Sequence, residues 1–152
     1  MIRVMVVDDS AFMRRLISDM IDGSGEAEVV VKARDGRDAL EKLDRYCPDI
    51  ITMDVEMPEM DGVAATRRIR QWEASHQREP LPIVAMTAHD AAEEQARCQE
   101  AGMSAFLTKP VRAAGLFDLL DRLLPIGQRS GWGANTIGTS DRWRPTEVGE
   151  LA

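Results

Sequence analysis

Apolar positions along this chain follow two periods in turn. Short, near-continuously apolar runs fall at Ile2–Val7, Glu28–Ala33, Ile50–Asp54, Leu81–Thr87 and Ala105–Thr108. Most are rich in Val and Ile, as strands buried on both faces should be. Between them the apolar residues recur at helical spacing, which predicts helices over Ala11–Ile21, Arg37–Arg45, Val63–Ser75, Ala91–Ala101 and Arg112–Leu124. Start and stop signals agree with this division. Ser10 is placed to cap the first helix, and Asp22-Gly23 ends it. Asp90 followed three residues on by Glu93 predicts a capping box, and Gly102 stops that helix. Five repeats of strand then helix mean βαβ units with right-handed crossovers, hence an α/β fold with a doubly wound parallel sheet.

The helices differ in what they can bury. The last offers the broad stripe Leu116, Phe117, Leu120, Leu123 and Leu124, whereas the fourth has only Ala92, Ala96, Cys98 and Ala101. At about 25 cal/mol per Å² of apolar area, alanines hold a helix far less firmly than leucines. The fourth helix is therefore expected to be the loosest element. The first has the opposite excess: Ala11, Phe12, Met13, Leu16 and Ile17 exceed one buried stripe, so Phe12 or Met13 is expected to be exposed.

Past Pro125 the periodic pattern stops, which divides the chain into a domain over residues 1–126 and a tail or linker stub over 127–152. Trp132 and Trp143 are unusual in such a stretch and read either as incidental or as docking groups. The formal net charge is −7. Arg129, Arg142 and Arg144 balance Asp141, Glu147 and Glu150, so the excess acid belongs to the domain and argues against nonspecific nucleic-acid binding. Cys47 and Cys98 have no CxxC partner and read as buried small hydrophobes in a reduced, cytoplasmic setting. No run approaches the length of a membrane span, and the N-terminus has no basic-then-apolar leader.

The chemistry gathers where the strands end. Ligands of open α/β sheets bind outside the carboxyl ends of the strands. The first strand ends on Asp8-Asp9, the third on Asp54, the fourth on Thr87, and Lys109 follows the fifth. Two unit charges ~4 Å apart repel by roughly 1 kcal/mol in water and about 4 kcal/mol near a protein surface. Three acids sharing one edge therefore call for a cation or for a reaction. A hard divalent ion and a phosphoryl group fit three carboxylates, a hydroxyl and an ammonium.

Taken together, Asp8-Asp9, the run Asp54-Val55-Glu56-Met57-Pro58-Glu59-Met60-Asp61-Gly62, Thr87-Ala88 and Lys109-Pro110 resemble a response-regulator receiver domain of two-component signalling. The likeness spans residues 2–124, with a chemotaxis-like first half and a second half closer to receivers of hybrid histidine kinases. It implies a flavodoxin-like sheet of order 2-1-3-4-5. It implies that Asp54 accepts a phosphoryl group from a histidine kinase or histidine-phosphotransfer protein. Asp8, Asp9, Asp54 and the backbone carbonyl of Glu56 would hold Mg²⁺, with Mn²⁺ an acceptable substitute. Lys109 would neutralise a phosphoryl oxygen, next to a cis bond to Pro110. Thr87 and Phe106 would form the conformational switch, and Glu56 and His89 would tune the lifetime of the phosphorylated state. The partners implied are the phosphodonor, docking on the first helix, and a downstream protein; Leu119 and the fourth-helix–fifth-helix face are candidates for a phosphorylation-dependent dimer of an otherwise monomeric chain. Catalysis beyond self-phosphorylation and self-dephosphorylation is not implied, and no Gly-x-Ser-x-Gly occurs.

Two other classes fit less well. A haloacid-dehalogenase-type phosphatase wants Asp-x-Asp-x-Thr at its nucleophile, where this chain has Asp54-Val55-Glu56-Met57-Pro58. A flavin module on the same fold has no use for three crowded acids.

Overall fold

The computed structural model describes residues 1–89 and 91–124. Strands and helices alternate as β1 (Ile2–Val7), α1 (Ala11–Asp22), β2 (Ala27–Ala33), α2 (Gly36–Tyr46), β3 (Ile50–Asp54), α3 (Gly62–Ser75), β4 (Ile83–Thr87), α4 (Ala92–Ala101), β5 (Ala105–Thr108) and α5 (Ala113–Leu123). Every pairing is parallel, and the sheet order is β2-β1-β3-β4-β5. Helices α2, α3 and α4 pack side by side, and α1 packs on α5, so the two groups cover the two faces. The order reverses between β1 and β3, which opens a crevice at their carboxyl ends.

Strands β3 and β4 are buried at every position, and β1 at all but Arg3. This explains their unbroken apolar character, since a residue between two helical layers has no solvent face. Each fully buried Ile, Val or Leu side chain contributes about 1.5–3 kcal/mol. The pairing of β1 with β2 slips between Val4 and Met5, which face Val29 and Val31 and leave Val30 without a partner. Hydrophobic pattern carries no signal for that irregularity, because Val29, Val30 and Val31 are alike.

Most expected elements end within a residue of their observed bounds. The fourth strand is shorter than expected, beginning at Ile83 rather than Leu81. Leu81 gives its N–H to the Glu73 carboxylate at 2.6 Å, and Pro82 has no N–H to give, though its carbonyl accepts from Ile51. Ser10, Asp35 and Asp61 cap α1, α2 and α3 through side-chain bonds to Met13, Asp38 and Ala64. Helix α4 begins at Ala92 with Ala91 in the cap position and no side-chain cap bond. Asp90 of the expected capping box, the tail, Trp132 and Trp143 lie outside the described residues.

Helix α4 buries only Cys98 and Ala101, whereas α5 buries Gly115, Leu116, Leu119, Leu120 and Leu123. Two expectations are corrected here. Leu119 is fully buried against the sheet and offers nothing to a dimer face. Cys47 is only half-buried: it caps α2 in the left-handed conformation (φ +47°), with its thiol on the Asp44 carbonyl. Cys98 is buried, and burial, followed by the nearby Glu94 carboxylate, pushes its thiol up to about 12, so it behaves as an inert apolar residue. Among the described residues no helix is long and apolar enough to cross a membrane.

Candidate functional site

Asp8 follows the last residue of β1 and is completely buried. Its N–H continues the sheet by donating to the Ala33 carbonyl at 3.1 Å. Its carboxylate accepts from the Ser10 N–H at 2.9 Å and from the Lys109 ammonium at 3.3 Å. Asp54 ends β3, also buried, and accepts from Lys109 at 3.1 Å and from the Glu56 N–H at 3.3 Å. Asp9 is exposed in the turn between β1 and α1. One carboxylate oxygen from each of Asp8, Asp9 and Asp54 lies within 4.8 Å of the others. The acids predicted to meet from separate strands do meet.

Lys109 enters from the far side of the switch point. Its N–H donates to the Thr87 carbonyl at 2.6 Å, which continues β5 beside β4, and the Lys109–Pro110 bond is cis. Burial raises the Asp54 pKa to about 7, reinforced by the Asp8 charge and the Asp9 hydrogen bond and opposed by Lys109. Burial pulls the Lys109 ammonium down, but the Asp54 and Asp8 carboxylates outweigh it and hold the group above its ordinary value. One ammonium among three carboxylates leaves the site net negative. The donor set is all oxygen, hard, and partly open to solvent through Asp9, which fits a divalent ion of the Mg²⁺ class.

The loop after β3 is tightly built. Gly62 donates to the Val55 carbonyl at 2.9 Å, and a Cβ on Gly62 would strike the Asp54 carbonyl oxygen. Met57 is buried and Met60 packs on the core, while Pro58 is exposed. Beyond the acids opens a cleft of about 570 Å³ lined by Asp9, Glu56, Met57, His89, Glu94 and Arg97, among others.

Thr87 is buried at the end of β4. Its hydroxyl donates to the His89 carbonyl at 3.2 Å and accepts the His89 N–H at 3.0 Å, so it is held by its own loop. Phe106 on β5 is packed in the core at 1% exposure, the largest of the fully buried side chains. Glu56 and His89 meet across the cleft mouth, 3.1 Å apart and both exposed. The sequence reading gave them a shared role without placing them in contact; their direct pairing is a tertiary result.

Sequence reading missed two residues around the site. Arg97 of α4 pairs with Glu94 at 3.0 Å and reaches Asp61 at 3.7 Å, tying the loosest helix to the loop after β3. Arg14 of α1 donates to the Asp8 carbonyl at 2.7 Å. A basic residue in the opening turn of a helix runs against the helix dipole, and that was the available signal for Arg14.

With this geometry in view, the comparison with known families is direct. The model of the response regulator receiver domain matches residues 4–121. The chain belongs to the response regulator receiver family of two-component signalling. As a receiver it is 44% identical over 109 residues to a protein-glutamate methylesterase/protein-glutamine glutaminase of Halalkalibacterium halodurans, a match covering 72% of this chain and 30% of that protein. The receiver thus spans under a third of the length of that relative. Among solved structures it is similar to the Vibrio cholerae chemotaxis protein CheY4, at 31% identity and a TM-score of 0.73, over 82% of this chain and 99% of the other. It is also similar to the response regulator domain of Thermotoga maritima CheB, at 37% identity and a TM-score of 0.64, over 74% of this chain and 81% of the other.

Proposed function

We propose that this receiver is a phosphorylation-activated switch whose acceptor is Asp54. The observation that carries the reading is the contact of Asp54 with Lys109 inside the cluster it shares with Asp8 and Asp9. Asp8, Asp9, Asp54 and the Glu56 backbone carbonyl would hold Mg²⁺, or Mn²⁺ in its place. When bound, the ion neutralises charge that builds on phosphoryl oxygens. An ionised Asp54 oxygen attacks phosphorus of a phosphohistidine on a histidine kinase or phosphotransfer protein. The O–P bond forms as the N–P bond breaks, and the imidazole nitrogen leaves with the electron pair. Lys109 balances one phosphoryl oxygen as a point charge.

The new acceptors then compete for Thr87. Its hydroxyl must give up the His89 carbonyl to reach a phosphoryl oxygen, which displaces the loop leading into α4. Phe106 is fully packed in the present conformation, so its role as a switch requires that this displacement open space beside it. Helix α4, with two buried residues and no side-chain cap, is the element that follows at least cost. Phe12, 73% exposed on α1 beside the acids, suits the docking of the phosphodonor. The output is a protein target contacted through the shifted face.

Glu56 and His89 stand at the mouth through which a hydrolytic water would pass, and they set the lifetime of the phosphorylated state. Replacing both and finding the same dephosphorylation rate would refute that assignment. For the acceptor itself, the chain and its Asp54→Asn variant are incubated with Mg²⁺ and a small acyl phosphate and compared by intact mass. A phosphoryl adduct on the parent and none on the variant is expected; adduct on both removes Asp54 from its role. Turnover of a simple phosphate ester would instead favour the phosphatase reading.

A further inference from the structure

All four polar atoms of Asp8 are engaged, and the last of them points to a residue outside the acid cluster. The N–H goes to Ala33, one carboxylate oxygen to Ser10, the other to Lys109, and the carbonyl oxygen accepts from Nη1 of Arg14 at 2.7 Å. That carbonyl belongs to the peptide joining Asp8 to Asp9. Because the peptide is planar, holding its oxygen also fixes the Asp9 nitrogen and the direction in which the Asp9 Cα leaves the strand. Asp9 is the exposed member of the cluster and lacks the burial that holds Asp8 and Asp54 in place. The placement of Arg14 is costly to its own helix. It lies in the opening turns of α1, where the dipole disfavours a cation and the first turn itself holds no acidic residue.

We propose that Arg14 is a positioning residue for the metal-binding turn: by gripping the Asp8 carbonyl it holds the Asp9 carboxylate in register with Asp54. The inference rests on the reading that this cluster binds Mg²⁺. The carboxylate contacts of Asp8 to Ser10 and Lys109 are open to rearrangement when a cation enters. The Arg14 contact uses the backbone instead and survives that rearrangement. An Arg that merely satisfied a turn carbonyl would affect folding; one that sets a ligand's direction affects cation affinity.

The test uses the full chain and three variants, Arg14→Met (the stem without the donors), Arg14→Gln and Arg14→Lys. Mg²⁺ affinity is measured by competition against Mn²⁺ followed by paramagnetic resonance, alongside metal-free thermal melting. The expected result is a roughly 10-fold weaker Kd for Arg14→Met, the size seen when an outer hydrogen-bond partner of a metal ligand is removed. Arg14→Lys should lie nearer the parent, the metal-free melting temperature should change little, and phosphoryl uptake by Arg14→Met should recover at saturating Mg²⁺. Arg14→Gln answers the same question should Arg14→Met fold poorly. Equal Kd for the parent, Arg14→Met and the uncharged, shorter Arg14→Gln overturns the role of Arg14 and leaves Asp54 as acceptor. A parent that binds no Mg²⁺ overturns both.

Discussion

The Lys109 ammonium lies 3.1 Å from the Asp54 carboxylate, so the fifth strand reaches across the fourth to touch the end of the third. Lys109 neutralises part of a site that a cation would otherwise find more negative, and on the proposed function it serves the phosphoryl group rather than the metal. Replacing Lys109 by Ala should therefore leave Mg²⁺ binding as tight or tighter. Phosphoryl uptake should fall on the order of 10²-fold, the effect of losing one charge-stabilising donor. Metal titration and intact-mass time courses separate the two. A variant that lost Mg²⁺ binding and kept its uptake would contradict this division of labour.

Asp54 makes the stability of the metal-free chain depend on pH. Its carboxyl titrates near 7 in the fold, against an ordinary value of 3.8. Between those values the folded state binds more protons than the unfolded one. The favourable contribution of protonated Asp54 is thus complete below the lower value, declines as pH rises, and is gone above about 7. The slope is at most about 1.4 kcal/mol per pH unit. Urea unfolding between pH 5 and 8 should show the parent losing stability relative to Asp54→Asn as pH rises. Parallel curves for the two would refute the raised pKa.

Gly62 is predicted to be a site residue by sterics alone. A methyl group there would meet the backbone carbonyl of Asp54 and lie 2.9 Å from the Val55 Cα, and backbone at a strand end yields poorly. Gly62→Ala should cost about 1–3 kcal/mol, as overpacking does, and should slow phosphoryl uptake by moving the acceptor. Unfolding and uptake measured together decide it; unchanged uptake would show that the strand end absorbs the methyl.

Glu73 is another buried carboxylate, carried on α3. It is 2% exposed, pairs with Arg70 at 2.8 Å and accepts the Leu81 N–H, while Arg70 also donates twice to the Gly102 carbonyl. This network pins the C-terminal end of α4 to α3. Glu73→Ala leaves Nη1 of Arg70 and the Leu81 N–H without their acceptor, while the bonds to Gly102 hold the rest of the guanidinium, and should cost about 1–3 kcal/mol. Urea unfolding followed by tryptophan fluorescence reads it. A loss near zero would mean that water replaces the carboxylate.

The convergence of the acids could be read from the strand ends because two periods and one rule suffice. Apolar runs and amphipathic segments determine the element order, and parallel strands put Asp8, Asp9, Asp54, Thr87 and Lys109 on one edge whatever the details. Contacts between loops were not legible in the same way. Glu56 meets His89 and Arg97 reaches Asp61 across distances set by packing, not by spacing along the chain, and Arg14 finds the Asp8 carbonyl only through the turn that joins β1 to α1. Leu119 reads equally well as core or interface until α5 is laid on the sheet, where its stripe turns inward. The same holds for the skipped Val30, since three identical valines cannot report their own register.

The sequence by itself determined which side chains share an edge, because strand direction and alternation are local properties that backbone hydrogen bonding then enforces. Only the tertiary structure decided which of those groups touch, how deeply Asp54 is buried and hence where it titrates, since burial and distance arise when separate segments are packed together.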